Sequence, residues 1–535
     1  MLRLNEIKLS LDHTDHDLKN ALLNRLGIRA EELLRYAVFK RSYDARKRNA
    51  IKLIYTVDVE VKGEERILER KLKGPPIRQT PDMTYQFMAK APDYHFKQPV
   101  VIGSGPCGLF AGLLLAQMGF KPLILERGKP VRERTVDTFR FWRESILDTQ
   151  SNVQFGEGGA GTFSDGKLHT QIKDRRFLGR KVLKEFIKAG APEEILTISK
   201  PHIGTLRLVK VVENLRKTIE KLGGTFRFET QVTDLLIKNG KINGVGLENG
   251  EQIDSEYVIL AIGHSARDTF EMLHTRGVDM QAKSFSIGLR IEHPQILIDK
   301  SRFGSKAGHP LLGAADYKLV HHCKTGRSVY SFCMCPGGTV VAAASEPGTV
   351  VTNGMSQYSR NAINANSAMV CEVNPQDYPD GPLAGIAYQR EWEKRAFELG
   401  GRNYDAPVQL LGDFLKKKPS IKAGKVQPSY QPGVKFGDLS LSLPDYVIAS
   451  LREALPAFES NIQGFRMPEA VLTGVETRTS SPLRIQRGKD LQSINLQGLY
   501  PAGEGAGYAG GILSSAVDGI KAAESVALRI AGESV

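Results

Sequence analysis

The stretch Pro99-Val-Val-Ile-Gly103-Ser-Gly105-Pro-Cys-Gly108-Leu-Phe-Ala-Gly112 decides the fold. An apolar run enters a G-x-G-x-x-G turn and leaves it as an apolar helix, the context in which that spacing carries meaning. Gly103 admits the tight turn, Gly105 lets the backbone approach a pyrophosphate, and Gly108 lets the helix pack on the strand. Pro106 and Cys107 open the helix, whose free N–H groups and partial positive charge face the phosphates. The next apolar run, Pro122-Leu-Ile-Leu-Glu126, ends in an acid 18 residues after Gly108. That carboxylate is placed to accept hydrogen bonds from ribose hydroxyls, with Arg127 beside it. The fingerprint specifies a dinucleotide and leaves open which one.

The far end of the chain narrows the choice. Gly498-Leu-Tyr-Pro-Ala-Gly503-Glu504-Gly-Ala-Gly-Tyr-Ala-Gly-Gly511-Ile512 reads as a strand, an acidic glycine-rich loop and the start of a small-residue helix. It resembles the closing motif of glutathione-reductase-type FAD folds. Tyr257-Val-Ile-Leu-Ala261-Ile-Gly263-His264 is similar to the middle strand of those folds, departing at Ile262, where a Thr is usual. Between these motifs, Ser151-Asn-Val-Gln-Phe-Gly-Glu-Gly158-Gly159-Ala-Gly161-Thr-Phe-Ser164-Asp-Gly-Lys167-Leu holds five glycines from 156 to 166. Such a loop lets backbone wrap a flat ligand, with Ser164 and Lys167 as polar side chains.

With Ser42-Tyr-Asp-Ala-Arg46, Pro201-His-Ile-Gly-Thr205 and Val475-Glu-Thr-Arg-Thr-Ser-Ser-Pro-Leu-Arg484, the whole chain resembles a family of bacterial FAD-dependent dehydrogenases of the NAD(FAD)-utilizing type. The resemblance implies an α/β fold: a Rossmann-like FAD-binding domain, βαβ plus a central parallel sheet, with an inserted α+β substrate domain and a small N-terminal α+β, ferredoxin-like domain. It also implies FAD as cofactor, held by the residues of the three motifs together with Val232, which opens a strand. NADH or NADPH is the expected transient electron donor. A small organic molecule is the expected substrate, with an electron-transfer or anionic protein as a further partner.

Domains are expected at 1–75, then a Pro-rich linker at 76–97, the FAD-binding domain at 98–282 and 470–535, and the insertion at 283–469. In the first unit we expect a strand over Leu2–Leu11, a helix over Asp15–Leu26, a second helix around Ala30–Tyr36, and strands near Tyr36–Ser42 and Ile51–Val61. The last alternates Ile51, Leu53, Tyr55, Val57, Val59, Val61, the period-two signature of a half-buried strand. Residues 205–222 read as an amphipathic helix.

No second dinucleotide fingerprint and no redox-active C-x-x-C pair accompanies the first, which sets the chain apart from disulfide reductases. Five cysteines without such a pair also argue against a disulfide framework or a zinc site, so no metal is expected. Cys333-Met-Cys335 alternates on a strand and reads as a buried pair facing one side. Candidates for the chemistry are Lys167, Arg478 and His169, with His264 as a further acid–base group. The alternative for Arg478 is hydrogen bonding between domains, and for the histidines a neutral ring satisfied by backbone.

The net charge of +14 comes from 73 Lys and Arg against 59 Asp and Glu, and residues 1–97 alone hold 20 against 14. That balance raises two rival readings: an RNA-modifying flavoprotein, and a non-enzymatic FAD sensor or adaptor. Nucleic acid is not the favoured partner. No apolar stretch reaches the ~18–20 residues that span a bilayer. The N-terminus lacks the apolar core of a signal peptide. The expected location is the cytoplasm.

Overall fold

Three short apolar runs, Val100–Ile102, Leu123–Leu125 and Val258–Leu260, are buried along their whole length. Strands with no polar face must be covered on both sides, which is the condition of a parallel sheet. In the computed structural model, which describes residues 1–70 and 72–533, they form the centre of a five-stranded parallel sheet. Its order is Leu499–Pro501, Val258–Leu260, Val100–Ile102, Leu123–Leu125 and Thr225–Arg227. The helix Pro106–Gln117 starts with Pro at its first turn and Gly105 as N-cap, and Cys107 through Ala116 are all buried. It packs against the last helix, Ile512–Ala531. Contact is close enough that a Cβ on Gly519 would lie 2.1 Å from the Cys107 carbonyl oxygen, and a Cβ on Gly108 would lie 1.8 Å from the Gly103 carbonyl oxygen of the turn.

The chain leaves this sheet after Val258–Leu260 and returns to pair with that same strand at Leu499–Pro501. In between it builds a seven-stranded sheet whose central strands are Phe285–Pro294, Asn364–Val373 and Val471–Glu476. All its neighbours run antiparallel except Ala406–Leu410 with Val434–Phe436. The helices Ala384–Gly400 and Asp445–Ala457 pack on it.

Ahead of both lies a four-stranded antiparallel sheet of Leu2–Ser10, Leu33–Asp44, Lys52–Val61 and Arg78–Gln79. In chain order these are strands one to four, and across the sheet they stand two, three, one, four, with helices Asp15–Leu26 and Glu64–Glu69 between strands. This is the ferredoxin-like β-α-β-β-α-β arrangement. The helix expected at Ala30–Tyr36 is absent. Only a 3₁₀ turn, Ala30–Glu32, forms, and a strand begins at Leu33. Good helix formers are overridden there by pairing of Leu33 with Val61, Tyr36 with Val59 and Val38 with Val57. The 76–97 segment is not a free linker either. Arg78–Gln79 adds a strand edge, and the Tyr85 hydroxyl donates to Glu524 Oε1 at 2.7 Å. No described helix is long and apolar enough to cross a membrane.

Candidate functional site

The carboxyl ends of the parallel strands open into a cavity of about 370 Å³ that runs from the phosphate turn to the seven-stranded sheet. Of the residues expected to hold a cofactor, Gly103, Gly105, Pro106, Cys107, Glu126, Arg127, Gly159, Gly161, Ser164, Lys167, Val232, Ala261, Gly263, Glu504, Gly511 and Ile512 line it. Gly108, Gly158 and Gly503 do not. Each is committed to packing: a Cβ on Gly108 would strike Gly103, on Gly158 Thr162, and on Gly503 Cys107. They shape the wall rather than form its surface. By contrast, Gly263, Gly510 and Gly511 line the cavity with nothing within 4 Å of a Cβ added to any of them. Their bareness serves no internal packing; it leaves room for a ligand, which is the fit that a flat cofactor against a helix N-terminus requires.

Glu126 is held more firmly than the motif suggests. Its Oε2 accepts from the Ser104 N–H at 2.8 Å and Oγ at 2.7 Å, and its Oε1 from the N–H groups of Gly128 at 2.9 Å and Gly156 at 3.0 Å. Four donors match the acceptor capacity of one carboxylate. Glu126 therefore clamps the phosphate turn to the glycine loop, and a ribose hydroxyl gains it only by displacing one of these donors. Arg127 is paired with Asp268 at 2.9 Å and lies 4.1 Å over the Phe155 ring.

Arg134, which sequence reasoning passed over, organises the glycine loop. Fully buried, it donates to the carbonyls of Asn152, Val153, Gly156, Glu157 and Gly159 at 2.7–3.2 Å. Burial draws its pKa down to about 10, still charged at neutral pH. Its signal was an arginine on the apolar stripe of Val131–Glu144, in line with Val131, Thr138 and Phe141.

The proposed chemical groups fare differently. Arg478 reaches the cavity, but its guanidinium is bound to Glu393 at 2.9 and 3.1 Å and to Ser345 Oγ at 2.6 Å. Glu393 also takes Arg267 at 2.8 and 2.9 Å. Arg478, which follows the strand Val471–Glu476, and Arg267 thus share the Glu393 carboxylate of the helix Ala384–Gly400, so the Arg478 charge on the cavity wall is already paired. Burial, with Arg478 and Arg267 close by, pushes the His264 pKa down to about 3, so the ring is neutral, and its Nδ1 meets Ser265 Oγ at 2.9 Å. Lys167 donates to the Met334 carbonyl and stands 3.5 Å from Asp165. His169 is solvent-exposed on one side at the cavity lining, and partial desolvation of the ring, then Lys167, lower its pKa. Burial raises the Glu504 pKa to about 7.

The cysteine pair departs from expectation. The strand pairing of Ser328–Cys335 with Asn364–Val373 slips between Phe332 and Cys335, and Cys333 takes a φ of 44°. This bulge breaks the alternation, so Cys333 lines the cavity while Cys335 is fully buried. The Cys335 thiol donates to the Cys333 carbonyl at 3.3 Å. A hydrogen bond from Cys335, then Lys167 and Arg290, hold the Cys333 thiol well below the ordinary range against the opposing effect of burial. Arg290 in turn is paired with Glu476 at 2.9 and 3.0 Å.

A family model described as an FAD-dependent protein, C-terminal domain-like, matches residues 284–479. One described as FAD dependent oxidoreductase matches residues 164–302, and a domain of unknown function matches 1–60. The chain is 49% identical over 527 residues to an uncharacterized protein of Clostridium beijerinckii, covering 98% of each. Among solved structures, a flavoprotein/dehydrogenase from Cytophaga hutchinsonii aligns at 12% identity over 82% of this chain and 80% of that one, with a TM-score of 0.36. A glycine oxidase from Bacillus cereus aligns at 12% identity over 82% and 96%, with a TM-score of 0.31. The long match to the Clostridium protein and the two flavin-dependent models together place this chain in that protein's family, a family of FAD-dependent oxidoreductases.

Proposed function

We propose that the 370 Å³ cavity holds FAD and that the protein is a dehydrogenase of the NAD(FAD)-utilizing type, with NADH or NADPH as transient donor and a small organic molecule as substrate. The observation that carries this reading is one continuous cavity joining the phosphate turn at Gly103–Cys107 to Lys167, Cys333 and Gly511 at its other end. Gly105 and the helix N-terminus behind it would hold the pyrophosphate, Glu126 the ribose in exchange for one of its four present donors, and the bare backbone at Gly510–Gly511 the ring system. When bound, FAD supplies a site that accepts or gives up a hydride equivalent.

The chain's own residues do the rest. The N-terminus of Ile512–Ala531 presents unpaired N–H groups and a partial positive charge to whatever anion forms beside it. Lys167 adds a full charge to the cavity wall, and Phe332 and Ile512 give it apolar surface. Glu504, poised near neutrality, can hold or release a proton at its carboxyl oxygen. A cytoplasmic location fits an odd count of five cysteines with no C-x-x-C pair.

The test is isolation of the full chain, heat release of its chromophore and chromatographic identification, then anaerobic mixing with NADH and with NADPH. FAD and rapid bleaching by one nucleotide are expected. A colourless protein that takes up no added FAD overturns the reading, whereas a yellow protein that neither nucleotide bleaches removes the dehydrogenase subtype. Gly105→Trp is expected to abolish flavin retention while the protein still folds.

A further inference from the structure

Lys167 and His169 line a second cavity as well as the first. It encloses about 770 Å³, within the ~300–1,000 Å³ usual for ligand pockets. Four separate parts of the chain wall it: the strand end Arg41–Arg46 of the N-terminal sheet, Lys167 with His169, the segment around Ile198–His202, and residues of the seven-stranded region from Arg302 to Arg360. The N-terminal wall is fixed by backbone. The Arg41 N–H donates to Thr197 O at 2.6 Å, and the Ser199 N–H to Arg41 O at 2.9 Å. The Tyr43 hydroxyl reaches Asp316 Oδ1 at 3.4 Å.

The charge in this chamber does not balance. Six Lys and Arg line it against three carboxylates. Lys200 is paired with Asp316 at 2.6 Å, Arg46 with Asp44 at 2.6 Å, and Arg360 with Asp165 at 2.5 Å. Among the described residues Arg41 and Arg302 form no ion pair, and the Arg302 Nε is buried without a hydrogen-bond partner. Cations without a counter-ion in a part-enclosed space are costly unless an anion joins them there. His169 and His202 report the same field: after burial, Lys167 depresses the first and Arg360 the second below the usual histidine range. Both shifts disfavour a charged imidazole, so the fixed positive excess comes from arginine and lysine.

We propose that this chamber takes the substrate through anionic oxygens, phosphate or carboxylate groups of a small molecule, with Arg41 and Arg302 as anchors and passage over Lys167 and His169 into the first cavity. The N-terminal unit is then a wall of the substrate site. The passage rests on the reading that the first cavity holds FAD; the anion site itself does not.

Calorimetric titration of the flavin-loaded full chain with pyrophosphate and with citrate tests it, the stronger probe telling phosphate from carboxylate. Saturable binding of at least one is expected, weakening with added salt. Arg41→Gln or Arg302→Gln should each weaken it about tenfold, roughly 1.4 kcal/mol. Arg302→Lys should keep most of it, and the flavin absorbance per chain should stay unchanged in all three. No saturable binding of either probe, or equal binding by the Arg41→Gln/Arg302→Gln double variant with an unchanged melting temperature, overturns the proposal. Protein isolated without flavin fails the reading of the first cavity, and the same titration still decides the chamber.

Discussion

Glu504 sits where a charge is costly, and its titration gives the cleanest residue-scale test. Burial raises its pKa from 4.5 to about 7, Lys283 opposing and Cys333 reinforcing the shift. A raised folded-state value means its contribution to stability is complete below pH 4.5 and is lost as pH climbs through about 7. Flavin-free Glu504→Gln should therefore gain stability relative to the parent at pH 8 and not at pH 5, read from paired urea unfolding curves. Cys333 offers a second test. Lys167 and Arg290 favour its thiolate, while Cys107, Cys335 and Cys371 are buried and shifted the other way. Limited alkylation with iodoacetamide at pH 7, followed by peptide mass spectrometry, should label Cys333 first; uniform labelling would contradict the geometry. None of this was legible from Cys333-Met-Cys335 itself, because local alternation carries no trace of a bulge set by register against Asn364–Val373.

At the scale of elements, strong local pattern and tertiary demand agreed in some places and not in others. The strand–turn–helix at 100–117 was readable because its glycines and apolar triplet admit one arrangement. Ala30–Tyr36 misled because helix propensity is worth tenths of a kcal/mol per residue, less than a sheet neighbour offers. The glycine loop at 151–166 was visible as a loop, and much of it lines the cavity, but the side chain that shapes it was not visible. Arg134→Met should leave five carbonyls without their donor and cost about 3–5 kcal/mol. Flavin content per chain should fall with it, and a variant that keeps full colour and parental stability would show the loop to be self-supporting.

Across the whole molecule, the order of motifs revealed one nucleotide fold interrupted by an insertion. The contacts that lock the two together were beyond reach, since Arg267, Glu393 and Arg478 lie up to 211 positions apart in the chain. Arg267 and Arg478 hold the Glu393 carboxyl far below its ordinary range although burial opposes them. Glu393→Ala leaves the buried Arg478 guanidinium without a carboxylate and Arg267 with Glu346 alone, and a loss of about 3 kcal/mol is expected by chemical denaturation. The same variant should broaden or split the unfolding transition as the sheets uncouple. The second cavity was equally hidden, because its walls come from four distant stretches that no local motif connects.

The return of the chain to its first sheet has a consequence for biogenesis. Leu499–Pro501 supplies the edge strand and Ile512–Ala531 the covering helix. A nascent polypeptide still lacking its final segment has the phosphate turn but neither the wall at Gly511 nor the helix that closes it. FAD is therefore expected to be held only once Leu499–Ala531 has joined the sheet, and flavin retained by a chain cut before Leu499 would contradict this.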